Sequence, residues 1–350
     1  MTNDDAQDAL FFPFGNELDE GMLQSARILY INVSVSPNLK GLKPQNTDCV
    51  QWSYMDANDV ENSGYKVFEN FNFIADKYDL VLINGVKQQD HMRYLIASAL
   101  DYIKRDGVIV CAAPNDAGGK RLKKDFIALG LTPSETSKFK CRIVYANVIG
   151  DIDSDKKEEW QLFGKFRKID EIGFVSVPGI FSWDRIDIGS SILLYNLPEV
   201  IKGDIADFGC GYGYLSHSLL SNYKSIDSIT CIDSDARAFK ACSDNIAAFE
   251  GDADINCIWD DATNITKLAE NHKGFDHIIM NPPFHKDKNT SYDLGQGFIK
   301  SASKHLKKHG NLWMVANSHL PYERVLCQYY ASVEMIAQNK GFKIINAKFK

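Results

Sequence analysis

Asn281-Pro282-Pro283-Phe284 closes an apolar, strand-like run, Phe275-Asp276-His277-Ile278-Ile279-Met280. Such a run delivers its last residue to the carboxyl edge of a sheet, where α/β proteins build their sites. There the Asn carboxamide presents a carbonyl acceptor. The two prolines have no N–H to donate and fix the chain, so that one backbone carbonyl points the same way. Two acceptors side by side suit a planar NH2 group, and Phe284 offers a ring for stacking. An amine held in this way is placed for methylation.

The donor's side of such a reaction has its own signature upstream. Asp204-Ile205-Ala206-Asp207-Phe208 is expected to form a short buried strand, followed by Gly209-Cys210-Gly211-Tyr212-Gly213 and the helical stripe Leu215, Leu219 and Leu220. Glycines let a cofactor approach the backbone closely, and the following helix offers free N–H groups at its start. A dinucleotide fingerprint would need a third glycine where Tyr214 stands. The alternation through Gly213 is instead the form found in S-adenosylmethionine-dependent methyltransferases. The next strand, Ser228 to Ile232, ends at Asp233, with Ser234 beside it, where an acid can accept from ribose hydroxyls. A third, Ile255 to Trp259, ends in Asp260-Asp261, where a carboxylate can accept from an adenine amino group. Sites at successive strand ends fit one nucleoside-bearing cofactor lying across the sheet.

Length and composition suit two ordinary globular domains: 350 residues, 45% apolar and 24% charged. The acidic start has no apolar core of a secretory signal, and no run reaches membrane-spanning length. The eight cysteines lack any C-x-x-C pair, which argues against a zinc site and a disulfide framework. A cytoplasmic, metal-free protein is expected. The net charge of −7 is unhelpful for a polyanion partner, but residues 300–350 carry +7 and residues 120–142 carry +5. Two basic regions on an acidic chain could face one nucleic acid, or form ordinary solvated faces.

The chain also contains a decayed internal repeat. Lys77-Tyr78-Asp79-Leu80-Val81-Leu82-Ile83-Asn84 parallels Gly274 to Asn281. Lys-Arg-Asp-Gly at 104–107 parallels Lys-Lys-His-Gly at 307–310, and an apolar strand follows each. In the first copy Gly85-Val86-Lys87 replaces Pro-Pro-Phe, and no glycine loop follows Ile28 to Asn32. It is expected to keep the fold without the cofactor, with Asn84 as a turn residue. The fold class is therefore α/β, with two tandem Rossmann-like class I methyltransferase domains, the N-terminal one degenerate. The expected division is a first domain over residues 1–150, a polar linker over 151–165 and a catalytic domain over 166–350. The latter opens with Phe174 to Trp183, a segment that could fold over a cofactor's methionine end or be an ordinary lead-in, and Asp187 to Leu194 is expected to be a helix with serine caps.

With the repeat, Pro-Gly-Ile-Phe-Ser at 178–182, Asn-Pro-Pro-Phe-His at 281–285 and Ala-Asn-Ser-His-Leu-Pro-Tyr at 316–322 in hand, the chain resembles the bacterial ribosomal RNA small subunit methyltransferase C family. The resemblance implies transfer of a methyl group from S-adenosyl-L-methionine to the 2-amino group of a guanine in 16S ribosomal RNA, within the small ribosomal subunit, by a monomer. It further implies that Asp207, Gly209, Gly211 and Gly213 hold the cofactor's methionine part, Asp233 its ribose and Asp261 its adenine. Phe181, Cys210, Ser234 and Asp260 are expected to be further cofactor contacts. Asn281 and Pro282, with Pro283 and Phe284, would orient the guanine, and His285 is a candidate proton acceptor. The same four-residue motif also serves adenine 6-amino groups, glutamine side chains and a 23S guanine. Outside these, a non-catalytic RNA-binding scaffold and a nicotinamide dehydrogenase are the readings to be distinguished.

Overall fold

The computed structural model describes residues 3–269, 272–283 and 288–350 and divides into two compact units, Met1–Lys165 and Phe166–Lys350. In the first unit, β1 (Ile28–Ile31), β2 (Thr47–Val50), β3 (Lys66–Phe68), β4 (Tyr78–Asn84), β5 (Ile103–Pro114), β6 (Ser134–Lys138) and β7 (Cys141–Asn147) form one sheet in the order β3-β2-β1-β4-β5-β7-β6. After a short hairpin of β8 (Arg167–Ile169) and β9 (Phe174–Ser176), the second unit repeats that order. Its strands are β10 (Lys202–Phe208), β11 (Ser225–Asp233), β12 (Asp254–Trp259), β13 (Phe275–Met280), β14 (Leu306–Asn317), β15 (Tyr330–Asn339) and β16 (Phe342–Phe349), ordered β12-β11-β10-β13-β14-β16-β15. Both sheets are parallel except at the strand paired with β5 or β14 and its edge neighbour. The chain is thus α/β with two Rossmann-like sheets.

The central strands are apolar on both faces because helices cover both. Ile278 and Met280 pack with Phe298 and Ile299 of the helix Lys288–His305. Ile279 packs oppositely with Leu215 and Leu219 of the helix Tyr214–Asn222. The repeat survives in detail. Lys104 Nζ pairs with Asp79 at 2.8 Å and Lys307 Nζ with Asp276 at 2.7 Å, at matching positions of the two copies. Asp106 and His309, two residues on, both have φ of 65° in the left-handed region.

At the switch point of the first sheet, however, the space is closed. Asn32 Nδ2 donates to the Asn84 carbonyl at 2.9 Å and Asn84 Nδ2 to the Asn32 carbonyl at 3.2 Å, tying β4 to the residue after β1. A Cβ on Gly85 would lie 2.6 Å from both Ala113 Cβ and Met92 Cε, so a proline ring has no room there. Asn84 is consequently a buried strand end, where a turn residue was expected.

Three other expectations are corrected. The segment 151–165 is not a linker: Ser154–Gln161 is a helix capped by Asp153, and it packs on the helix Gln89–Ala99 with Trp160 buried. The helix Ile188–Tyr195 is capped by the Asp187 carboxylate, which accepts from Ser190 N at 2.9 Å, and not by serine. The basic regions are partly neutralised, since Lys307 bridges Asp204 and Asp276, buried Lys343 pairs with Glu323, and Glu135 takes Lys123 and Arg142. The cysteines are also less scattered than their spacing suggests. Cys231 and Cys257 are partners on β11 and β12, and Cys242 brings a third sulfur within 4.8 Å of both. Hydrogen bonding to Cys242 and Cys257, with burial, pushes the Cys231 thiol up, and hydrogen bonding to Cys210, with burial, pushes Cys242 up, while its bonds to Cys231 and Cys242 hold Cys257 down.

Candidate active site

Strands β10 and β13 are adjacent and parallel, with Phe208 opposite Met280, so the glycine loop and Asn281 leave the sheet side by side. This is where the strand order reverses, the place at which open α/β sheets leave a crevice. The crevice is an open cleft of about 380 Å³ whose wall includes Phe181, Asp187, Ser190, Gly209, Gly211 and Asn281. Cys210, Tyr212 and Tyr214 complete the loop side, and Phe181 is 44% exposed at its mouth.

Asn281 is held by its amide nitrogen. Nδ2 donates to Asp187 Oδ2 and to Ser190 Oγ, each at 2.8 Å. Among the described residues its buried Oδ1 has no hydrogen-bond partner. A buried acceptor left free costs about 1–3 kcal/mol, which marks it for an incoming donor. Pro282 is buried and Pro283 exposed, while Phe284 and His285 lie outside the described residues.

The glycines have separate reasons. Gly209, Gly211 and Gly213 have φ of 76°, 56° and 89°, all left-handed. At Gly211 an added Cβ would meet nothing within 4 Å, so the missing side chain opens the cleft. At Gly213 it would come within 2.9 Å of Cys242 Sγ, so that glycine lets two helices pack.

The acids behind the loop divide in the same way. Asp233 keeps an edge at the surface; its Oδ2 accepts from Gly211 N at 2.8 Å and its Oδ1 from Asp235 N at 2.9 Å, so it fixes the loop's shape. Asp207 is fully buried; Oδ2 accepts from Ser216 Oγ at 2.6 Å, and Oδ1 has no partner among the described residues. Burial pushes the Asp207 carboxyl up to about 7, partly offset by Ser216, and burial pushes Asp233 up to about 6 against its two backbone N–H donors. Among the described residues no cation pairs with either. Neither carboxylate is in the wall of the cleft, but Asp233 lies directly behind Gly211, so a cationic group held there would meet negative charge through the loop.

Asp260 belongs elsewhere. It is fully buried, with Oδ1 accepting from Asp261 N and Oδ2 from Thr266 N and Lys267 N. Its acceptors organise the loop after β12 and leave no side for an adenine, so its expected cofactor contact is withdrawn. Asp261 is half-buried, with its carboxylate on Thr263 N and Oγ1. The Ser234 carbonyl accepts from Trp259 Nε1 at 2.9 Å. Neither Asp261 nor Ser234 lines the cleft itself.

Sequence reasoning missed Asp187 and Ser190 as site residues. An Asp set before Gly-Ser-Ser at a helix start signals a cap, and nothing local says that the cap also meets a residue 94 positions on.

Comparison with known proteins shows the family of the chain. The family model described as methyltransferase small domain matches residues 171–346, just over half of the chain. A ribosomal RNA small subunit methyltransferase C of Acinetobacter baumannii (strain AYE) is 28% identical over 334 residues, covering 92% of this chain and 94% of its own. The Erwinia tasmaniensis protein of the same name is 30% identical over 289 residues, covering 82% and 80%. The solved T. thermophilus 16S rRNA methyltransferase in complex with AdoMet and guanosine superposes with a TM-score of 0.77 at 18% identity, covering 93% of this chain and 88% of that one. That likeness shows a shared fold. Together the small-domain match and the relatives aligned along both units establish that the chain is a member of the ribosomal RNA small subunit methyltransferase C family.

Proposed function

We propose that this protein transfers a methyl group from S-adenosyl-L-methionine to the exocyclic 2-amino group of one guanine in 16S ribosomal RNA, acting in the cytoplasm as a monomer on the small ribosomal subunit. The observation that carries this reading is the Asn281 carboxamide beside the glycine loop, anchored by nitrogen and offering an unpartnered oxygen. The relative from T. thermophilus is described as acting at N2 of guanine 1207 of 16S rRNA, which supports the choice of base and atom. Among the described residues no helix is long and apolar enough to cross a membrane.

Bound S-adenosylmethionine supplies an already activated methyl group, so this chain's residues need mainly to position. Gly211 leaves room for the donor, Asp233 holds the loop in that shape, and Asp207 and Asp233 balance positive charge. A guanine in a helix hides its amine, so the base must be extruded or already unpaired. Asn281 Oδ1 accepts one amine hydrogen and the Pro282 carbonyl the other, which turns the nitrogen lone pair toward the donor. The methylated nitrogen then sheds a proton to an acceptor or to water. No strong base is required.

The test is tritium-methyl transfer to small subunits from cells lacking the protein, followed by mapping of the labelled nucleotide. One 2-methylguanine in 16S RNA is expected. Label in 23S RNA, on an adenine or on protein would overturn the reading. Asn281→Ala should abolish transfer while the dissociation constant for S-adenosylmethionine changes by less than roughly threefold.

A further inference from the structure

We propose that Asp187 and Ser190 form a two-acceptor clamp that decides which way round the Asn281 carboxamide faces, making them positioning residues for methyl transfer; this rests on the function proposed above. A carboxamide has near-identical ends, one donating two hydrogens and one accepting. Only one orientation serves an incoming NH2 group. The other would point N–H at N–H.

The neighbours settle the orientation. A carboxylate accepts and never donates when ionised, and Asp187 Oδ2 lies 2.8 Å from the Asn281 amide nitrogen. Turning the amide over would set two oxygens against each other at that distance, with Ser190 Oγ beside them. The clamp is itself pinned. Asp187 Oδ2 also accepts from Ser190 N at 2.9 Å as the helix cap, so its oxygen cannot swing away without uncapping the helix. Gly189 gives the carboxylate its room, because a Cβ there would sit 3.0 Å from Asp187 Oδ2. Both amide hydrogens are thus engaged on protein, and the whole acceptor capacity of Oδ1 remains for substrate.

There is also an electronic consequence. A carboxylate accepting from the amide N–H draws positive charge to nitrogen and leaves Oδ1 a stronger acceptor. The attacking amine becomes cationic as its N–C bond forms and the donor's S–C bond breaks, so the gain is larger in the transition state than in the ground state. The clamp therefore acts on turnover more than on binding, and it favours NH2 donors over carbonyl or ring-nitrogen acceptors at that place.

The experiment uses the full chain as Ser190→Ala, Ser190→Thr and Asp187→Asn, the last retaining a cap acceptor. Turnover on small subunits, affinity for S-adenosylmethionine and the side-chain NH2 signals of Asn281 are measured. Those signals are read in cofactor-free protein labelled with 15N-asparagine and assigned through their loss in Asn281→Ala. Ser190→Ala should lower kcat roughly 10- to 100-fold with little change in cofactor affinity and shift the NH2 pair toward that of an exposed asparagine. Ser190→Thr should restore both, and Asp187→Asn should lower kcat at least as far as Ser190→Ala. Unchanged NH2 signals in Ser190→Ala and Asp187→Asn would overturn the clamp, as would a kcat loss that Thr does not repair. A wild-type protein that methylates no subunit RNA would refute the proposed function instead, and the NH2 signals would still decide the clamp.

Discussion

Replacing Asp207 by Asn isolates a buried charge that the cofactor-free protein must accommodate. The Asp207 carboxyl is fully buried, bonded only to Ser216, and pushed from 3.8 up to about 7. In the unfolded chain it ionises near its ordinary value. Between about pH 4 and pH 7 the folded state therefore holds a proton that the unfolded state has lost, and this group's contribution to stability falls as pH rises across that window. A rise of about three units corresponds to a ceiling of about 4 kcal/mol above pH 7, of which about 2–3 kcal/mol develops between pH 5 and pH 8. Asp207→Asn keeps an oxygen for Ser216 and removes the titration. Urea unfolding of both proteins without cofactor, at pH 5 and pH 8, should show the variant gaining on the wild type by about 2 kcal/mol at the higher pH. A stability gap that is the same at both pH values would refute the buried-charge reasoning.

The same two raised carboxyls make cofactor binding pH-dependent. Cation binding favours their ionised forms, so affinity for S-adenosylmethionine should weaken roughly tenfold from pH 7.5 to pH 6, with proton release on binding, by titration calorimetry in buffers of different ionisation heat. Gly211→Ala should lose only about 1–2 kcal/mol, the cost to an alanine of its left-handed φ of 56°, yet bind S-adenosylmethionine at least tenfold more weakly, because its Cβ enters the cleft. Gly213→Ala should lose more, about 2–5 kcal/mol of stability in thermal melts, because its φ of 89° adds left-handed strain to the contact with Cys242. Asp260→Ala strands the N–H groups of Thr266 and Lys267 and should cost about 2–4 kcal/mol in urea unfolding, whereas Asp261→Ala frees only Thr263 N and Oγ1 at a half-buried site and should cost about 1 kcal/mol or less.

Much of the fold was legible because its elements carry local signals. β13 is a largely apolar run followed by Asn281 and two prolines that cannot donate to a ladder, and the observed Phe275–Met280 coincides with that run. The repeat predicted two similar sheets, and even the Lys-to-Asp pairs at 104 and 307 recur in both. What stayed hidden depends on contacts distant in sequence. Asp187 is a helix cap by local chemistry, and its second bond, to Asn281, exists only once β13 and the helix Ile188–Tyr195 meet. Asp260 and Asp261 are adjacent acids after one strand, and only the folding back of Thr266 and Lys267 consumes the first. Charge counts misled for a similar reason: Lys307 and Lys343 belong to a basic stretch by sequence but spend their charge on Asp204, Asp276 and Glu323. The helix Ser154–Gln161 escaped notice because its polar surface resembles a linker and a single buried Trp160 docks it.

The most direct measurement is a crystal structure of the protein with S-adenosylhomocysteine bound. Its sulfur should lie in the cleft between Gly211 and Asn281, with Oδ1 facing it across open space and Nδ2 still on Asp187 and Ser190. A sulfur bound elsewhere, or an Asn281 oxygen turned from it or screened by protein atoms, would contradict the shared pocket on which methyl transfer to an amine depends.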